Sequence, residues 1–279
     1  MNTRQPLPRV LAHRGASETA PEHTIAAYRA ALDGGADGLE CDVRLTRDGV
    51  PVCIHDRRVN RTSNGKGVVS TLQLADLAEL DFSVRTARRR IAPRPVPPTV
   101  DVDCDGAGVL TLERLLGVVL EHGSDVELAI ETKHPTRHGP SVERRVVDLL
   151  RRHGLHRAPA PGRPTVRLMS FSALALKRVQ LLAPELPTVY LANRLTSQLA
   201  GGRLPAGADT VGPSIGALRH SPRYVQRVHR RGRQVYVWTV NTAEDVELCR
   251  RAGVDAIITD RPRAVRALLD QGGPMAAEG

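Results

Sequence analysis

The chain has 279 residues, of which 41% are hydrophobic and 25% charged, with a formal net charge of +10. Its mean hydropathy of −0.25 is ordinary for a soluble globular protein. The positive charge does not make a nucleic-acid binder, because only three of the 40 basic residues are Lys (Lys66, Lys133, Lys177), the Arg are scattered along helices, and the 3% aromatic content leaves few stacking platforms.

A field of this sign better suits a small anionic substrate. No run of about 18 apolar residues occurs, and residues 1–8 lack the apolar segment of a signal peptide, so neither a membrane anchor nor export is expected. The four Cys (Cys41, Cys53, Cys104, Cys249) have no C-x-x-C spacing, which predicts reduced thiols and a cytoplasmic protein.

In chain order, Val10 to Ala12 reads as a short strand ending at His13 and Arg14. A helix follows over 24–33, with Thr24 as N-cap and Gly34-Gly35 as its stop. The second strand occupies 38–45. Two apolar runs flank Asp48-Gly49, a strong hairpin signal. If the turn is Thr46 to Gly49, Glu40 lies opposite His55; if Asp48 and Gly49 are the two central residues, Asp42 does. In either register Glu40, Asp42 and His55 share a face, and the two acids are roughly 6–7 Å apart at Cα. Cys41 and Cys53 are expected on opposite faces.

From Val59 to Val109 the rhythm breaks into Arg-rich and Pro-rich text around one short helix near 71–80, which reads as an insertion or lid. Asp101, Asp103, Asp105 and Gly106 imitate a calcium loop, but Leu112 stands where that loop needs a bidentate Glu. Helices are then predicted over 111–121, 141–153, 173–182, 222–230, 243–252 and 263–269. Strands are predicted over 126–132, 166–171, 188–192, 210–211, 234–240 and 256–259. Residues 271–279 are expected to form a loose tail. Eight strands that open β/α units spell an α/β fold, a TIM (β/α)8 barrel, as one domain over about 8–270 with the insertion at about 59–109.

Barrels of this kind carry their functional groups at the C-terminal strand ends. The polar residues there are His13, Arg14, Glu40, Asp42, Glu131, Lys133, Ser170, Trp238, Asn241 and Asp260. Two acids that share a face with an imidazole suggest a metal site beside a proton carrier. A third carboxylate, Glu131, suits an oxygen-ligated cation such as Mg²⁺ or Ca²⁺, and the absence of Cys or His ligand spacing argues against structural zinc. Were the pair merely the wet side of an edge hairpin, no such partner would be needed. His134, His138, His153 and His156 read as exposed residues without a role.

The runs His13-Arg14-Gly15, Pro21-Glu22-His23-Thr24, Glu40-x-Asp42, His55-Asp56, Glu131-x-Lys133, Ser170-Phe171, Trp238-Thr239-Val240-Asn241 and Gly253 to Pro262 resemble the glycerophosphodiester phosphodiesterase family in order and spacing. The likeness spans about residues 10–268. His23 departs from it, since the family usually has Asn there. The resemblance implies that Glu40, Asp42 and Glu131 hold a divalent cation, that His13 and His55 act as general acid and base, and that Arg14 and Lys133 bind the phosphate. Trp238 is expected to floor the site beneath the glycerol or leaving group, with Glu22, His23, Ser170 and Asn241 as supports.

The implied reaction cleaves a small-molecule glycerophosphodiester to sn-glycerol 3-phosphate and an alcohol. A lysophospholipase D acting on lysophospholipids is the nearest alternative, which the Arg-rich, Pro-rich insertion disfavours because Phe82 is its only aromatic. A basic nucleic-acid-binding protein is a remote one. No feature of the chain specifies an oligomeric state.

Overall fold

A computed structural model describes residues 6–83, 108–123, 125–135, 139, 141–158 and 160–271. The strands β1 (Arg9–His13), β2 (Gly38–Leu45), β4 (Glu127–Thr132), β5 (Thr165–Ser170), β6 (Thr188–Ala192), β7 (Thr210–Pro213), β8 (Gln234–Val237) and β9 (Ala256–Thr259) are parallel. β1 pairs with both β9 and β2, which closes the sheet into an eight-stranded barrel. The short β3 (Pro51–Cys53) is the antiparallel return from β2. β1 ends at the level of Glu40, so the C-terminal half of β2 rises above the barrel rim and is free to pair with β3.

Helices α1 (Ile25–Asp33), α3 (Leu112–His122), α4 (Ser141–Arg152), α5 (Ala173–Leu182), α8 (Tyr224–His229), α9 (Ala243–Ala252) and α10 (Pro262–Gln271) separate the strands. Their starts are chemically marked: the hydroxyls of Thr24, Thr111, Ser172 and Thr242 accept hydrogen bonds from the first turns of α1, α3, α5 and α9. Two short helices, α6 (Ser197–Ala200) and α7 (Ile215–His220), were not expected, being too brief for a 3.6-residue period to register. The insertion contributes α2 (Leu74–Ala78) and two 3₁₀ turns, and seats Val59, Val69, Leu77 and Phe82 against Val52 and Ile54 of the returning arm. Its acidic stretch at 101–106 and the tail beyond 271 lie outside the described residues.

Alternation with period two sorts each barrel strand into an outer and an inner row. Leu39, Cys41 and Val43 point outward into the layer shared with α1, α3 and α4, and Leu11, Ala129, Met169, Leu191, Tyr236 and Ile258 fill the barrel's middle. Above that plug sit the next inward residues, and these carry the polar groups.

The hairpin register differs from both expectations. Val43 faces Cys53 and Leu45 faces Pro51, with Ile54 N bonded to Asp42 O at 3.0 Å. Gly49 adopts φ +80°, so the Thr46 to Gly49 turn carries one extra left-handed residue, a glycine bulge that shifts the pairing by one. The register extrapolates to His55 opposite Cys41, on the far face from the acids. His55 nonetheless reaches the acids, because the strand ends at Cys53 and the chain bends away. The same slip places Cys41 and Cys53 diagonally on one face, where the free thiols of both are buried; the expectation of opposite faces is therefore corrected.

Candidate active site

The barrel mouth holds a cavity of about 220 Å³, and its wall is divided by chemistry. His13, Arg14, Glu40, His55, Glu131 and Lys133 form one side; Met169, Phe171, Leu191, Trp238 and Ile258 form the other. Trp238 meets Phe171 edge to face, with ring centroids 5.5 Å apart, and is anchored by its indole N–H on Gly212 O at 2.7 Å. Every residue singled out from the sequence as a candidate ligand, proton carrier or phosphate group lies on this wall or directly behind it.

Glu40, Asp42 and Glu131 are 2%, 1% and 7% exposed, so they are not the wet side of an edge hairpin. Each offers one carboxylate oxygen, and the three oxygens lie within 4.8 Å of one another. Arg14 Nε stands 2.8 Å from Asp42 Oδ2, and Lys133 Nζ lies 3.1 Å from Asp42 Oδ1 and 2.8 Å from Glu131 Oε1. Burial pushes Glu40 well above the usual carboxylate range, with Asp42 adding to the effect. Burial and Asp42 likewise push Glu131 up to about 7. For Asp42 burial acts in the same direction, but the His23 hydrogen bond and the charges of Arg14 and Lys133 outweigh it and hold the group well below its ordinary value.

Three convergent acids against two cations leave a deficit of positive charge. Asp42 Oδ1, buried with Lys133 Nζ at 3.1 Å, keeps a lone pair to spare and fits a ligand role. Oxygen ligands at roughly 2.1–2.5 Å from a hard divalent ion are separated by up to about 4–5 Å, the spread these carboxylates show. The donor set is all oxygen and therefore suits Mg²⁺ or Ca²⁺ rather than a thiolate-loving metal.

Each imidazole of the site has its own carboxylate. His13 Nδ1 lies 2.6 Å from Asp260 Oδ1, and Asp260 also accepts from Ser17 Oγ and Asn241 Nδ2. Burial would raise the Asp260 carboxyl, but the hydrogen bonds from His13, Asn241 and Ser17 and the charge of His13 hold it at about 2. His55 Nδ1 lies 2.7 Å from Asp56 Oδ1. Burial, reinforced by Arg14 and Lys133, lowers the His55 pKa despite the pull of Asp42 and Asp56. A carboxylate at Nδ1 places the ring proton there and leaves Nε2 to face the cavity.

The supports form a chain around the rim. Arg61 grips Asp56 through Nε at 2.7 Å and Glu22 through two bonds of 2.6 and 2.7 Å, and Glu22 accepts from Arg14 at 3.2 Å. His23 is buried with φ +58°; its Nε2 lies 3.0 Å from Asp42 Oδ2 and its Nδ1 2.7 Å from Tyr28 Oη. The left-handed backbone explains why Asn would be at home there. Arg61, Asn193 and Met169, Leu191 and Ile258 of the apolar wall escaped the sequence reading, because their spacing carries no motif; Phe171 stood in the run Ser170-Phe171 without an assigned role. His134 was misread as exposed: its Nε2 meets the fully buried Glu143 at 2.6 Å. His153 and His156 are partly buried as well, and His138 lies outside the described residues.

Residues 13–264 match the model of the glycerophosphoryl diester phosphodiesterase family. The chain is 44% identical over 265 residues to the probable glycerophosphodiester phosphodiesterase 1 of Mycobacterium tuberculosis, spanning 95% of this chain and 93% of that protein. It is 31% identical over 264 residues to a glycerophosphodiester phosphodiesterase of Caldanaerobacter subterraneus, covering 95% and 98%. Among solved structures it resembles a putative glycerophosphoryl diester phosphodiesterase from Silicibacter pomeroyi, with a TM-score of 0.79 at 27% identity over 95% of this chain and 94% of that one. With a family match over nearly the whole barrel and relatives as similar as these, the chain belongs to the glycerophosphoryl diester phosphodiesterase family, enzymes that hydrolyse glycerophosphodiesters.

Proposed function

We propose that this protein hydrolyses glycerophosphodiesters to sn-glycerol 3-phosphate and an alcohol, with His13 and His55 as general acid and base and with a divalent cation held by Glu40, Asp42 and Glu131. The observation that carries this reading is the pair of carboxylate-backed imidazoles, His13 with Asp260 and His55 with Asp56, on the wall of one cavity beside three convergent acids. A phosphodiester is anionic, so attack at phosphorus requires its charge to be offset. Arg14 and Lys133 supply fixed positive charge at the cavity wall, and a bound Mg²⁺ or Ca²⁺ would supply Lewis-acid stabilisation of the phosphoryl oxygens.

One imidazole, neutral at Nε2, takes the proton of the attacking oxygen while the other protonates the departing alkoxide, each worth roughly 10²–10⁴ in rate. The lowered pKa of His55 suits the base. Trp238 and Phe171 give the glycerol carbons an apolar face. Among the described residues no helix is long and apolar enough to cross a membrane, and the free thiols of Cys41, Cys53 and Cys249 support a reducing, cytoplasmic setting.

The test is turnover of glycerophosphocholine and glycerophosphoglycerol by wild type, His13→Ala and His55→Ala. Each variant is expected to lose at least about 10²-fold in kcat with an unchanged circular dichroism spectrum. Chelation should silence the wild type and Mg²⁺ or Ca²⁺ restore it. Near-normal turnover in either variant would overturn the roles assigned here.

A further inference from the structure

Behind Lys133, on the β2 and β4 side of the mouth, lies a second and smaller recess of about 20 Å³, lined by Arg44, Arg57, Lys133 and Ser70 with Leu45 and Val69 as its floor. Lys133 belongs to both this recess and the main cavity, so the two adjoin. Arg44 has the same strand parity as Glu40 and Asp42 and so stands above them at the rim. Its Nε donates to His55 O at 2.9 Å. Many arginines around the barrel are matched with acids, as Arg9 is with Glu127 and Arg219 with Asp245. Among the described residues Arg44 and Arg57 have no such partner. Asp42, Glu131 and Asp56 act on Arg44 from a distance, but no carboxylate of the described residues holds either guanidinium, and their open forks of N–H donors around a concave wall, one of them half-buried, form an anion seat that matches carboxylate and phosphate oxygens.

We propose that this recess is an anion subsite for the alcohol half of the substrate, so that glycerophosphodiesters whose alcohol bears a phosphate or carboxylate are preferred over neutral and cationic ones. The inference rests on the phosphodiesterase reading above. A phosphodiester has two ester arms that diverge from phosphorus. The apolar wall of Met169, Phe171 and Trp238 accepts one, and the other leaves past Lys133 toward Arg44 and Arg57. A volume of about 20 Å³ admits only one or two oxygen-sized atoms, so the recess receives the tip of an anionic group and not a whole headgroup. A trimethylammonium would meet three cations there.

The experiment measures kcat/KM for glycerophosphoglycerol, for the same diester carrying a terminal phosphate, and for glycerophosphocholine, in wild type, Arg57→Gln and Arg57→Glu. Arg57 is exposed, so the fold is not at stake. The wild type is expected to favour the terminal phosphate by about fivefold or more over the neutral diester at low salt, a ratio that shrinks at high ionic strength, approaches one in Arg57→Gln and inverts in Arg57→Glu. Arg44→Gln should reduce the same ratio, whatever it does to the absolute rate through His55. A wild-type ratio of one, or a ratio that survives both Arg57 variants, overturns the subsite. So does inhibition by inorganic phosphate that Arg57→Gln relieves without any substrate preference, since the recess would then hold a free anion. If the wild type cleaves none of the three diesters, the phosphodiesterase reading itself falls, and the subsite with it.

Discussion

The two ends of the barrel bury acids in opposite ways. At the floor a single carboxylate, Glu127, fully buried, receives Arg9 at 2.6 Å, Arg167 at 3.0 Å and the Tyr236 hydroxyl at 3.2 Å. At the mouth three carboxylates converge within 4.8 Å against the cations Arg14 and Lys133. The floor has more cations than acids and closes on itself. The mouth has more acids than cations and stays open to a ligand. Burial of charge alone does not mark a functional site; an unbalanced charge count beside a cavity does.

That contrast can be broken most directly by neutralising an acid at each end. Glu131→Gln should lower kcat/KM by about 10³-fold or more, while the melting temperature holds or rises, because burial and Asp42 already push its carboxyl up to about 7. Glu127→Gln should leave kcat within about threefold and cost about 3 kcal/mol of stability, since Arg9 and Arg167 lose their counter-charge. Kinetics and thermal melts on the same preparations decide; a folded but inactive Glu127→Gln would erase the distinction between floor and mouth.

A smaller effect sharpens the account of the mouth. Asp260→Asn should lower kcat by roughly 10–10²-fold by releasing His13 from its tautomer and orientation. It should also change acid stability. The folded pKa of Asp260, about 2, lies below its ordinary 3.8, so its contribution is present above pH 4 and is lost as pH falls toward 2. The wild type should therefore shed about 1 kcal/mol more than the variant across that window, after allowance for partial exposure, as read from urea melts at each pH.

Smaller again is Arg61→Gln, which removes the clamp joining Asp56 to Glu22 and should cost about five- to tenfold in kcat with KM little changed. A KM effect alone would recast Arg61 as a substrate contact. His23→Asn should do least, within about threefold in kcat, because Asn accepts the left-handed backbone and Asp42 keeps Arg14 and Lys133. A loss beyond tenfold would mean that the imidazole, bonded to both Asp42 and Tyr28, sets the geometry of the acids.

Much of the molecule was determined by the sequence alone, and for a local reason. Period-two alternation puts Glu40 with Asp42, and Glu131 with Lys133, on the inner row of any strand they form, and β/α rhythm closes eight such strands into a barrel whose strand ends meet. The capping hydroxyls of Thr24, Thr111, Ser172 and Thr242 likewise mark helix starts without any knowledge of the fold. Only the tertiary structure decided what depends on distant segments. The pairing of His13 with Asp260 joins the first and last barrel strands, the Arg61 clamp joins the insertion to the first loop, and the basic recess behind Lys133 exists because the insertion and the segment after β4 meet beside the end of β2. The hairpin register belongs with these, since one left-handed glycine at position 49 shifted the pairing by one and set Cys41 and Cys53 on one face, while His55 still reached the acids beyond the strand's end. Strand periodicity is a property of neighbouring residues, whereas register and cross-barrel contact are set by how the whole sheet closes.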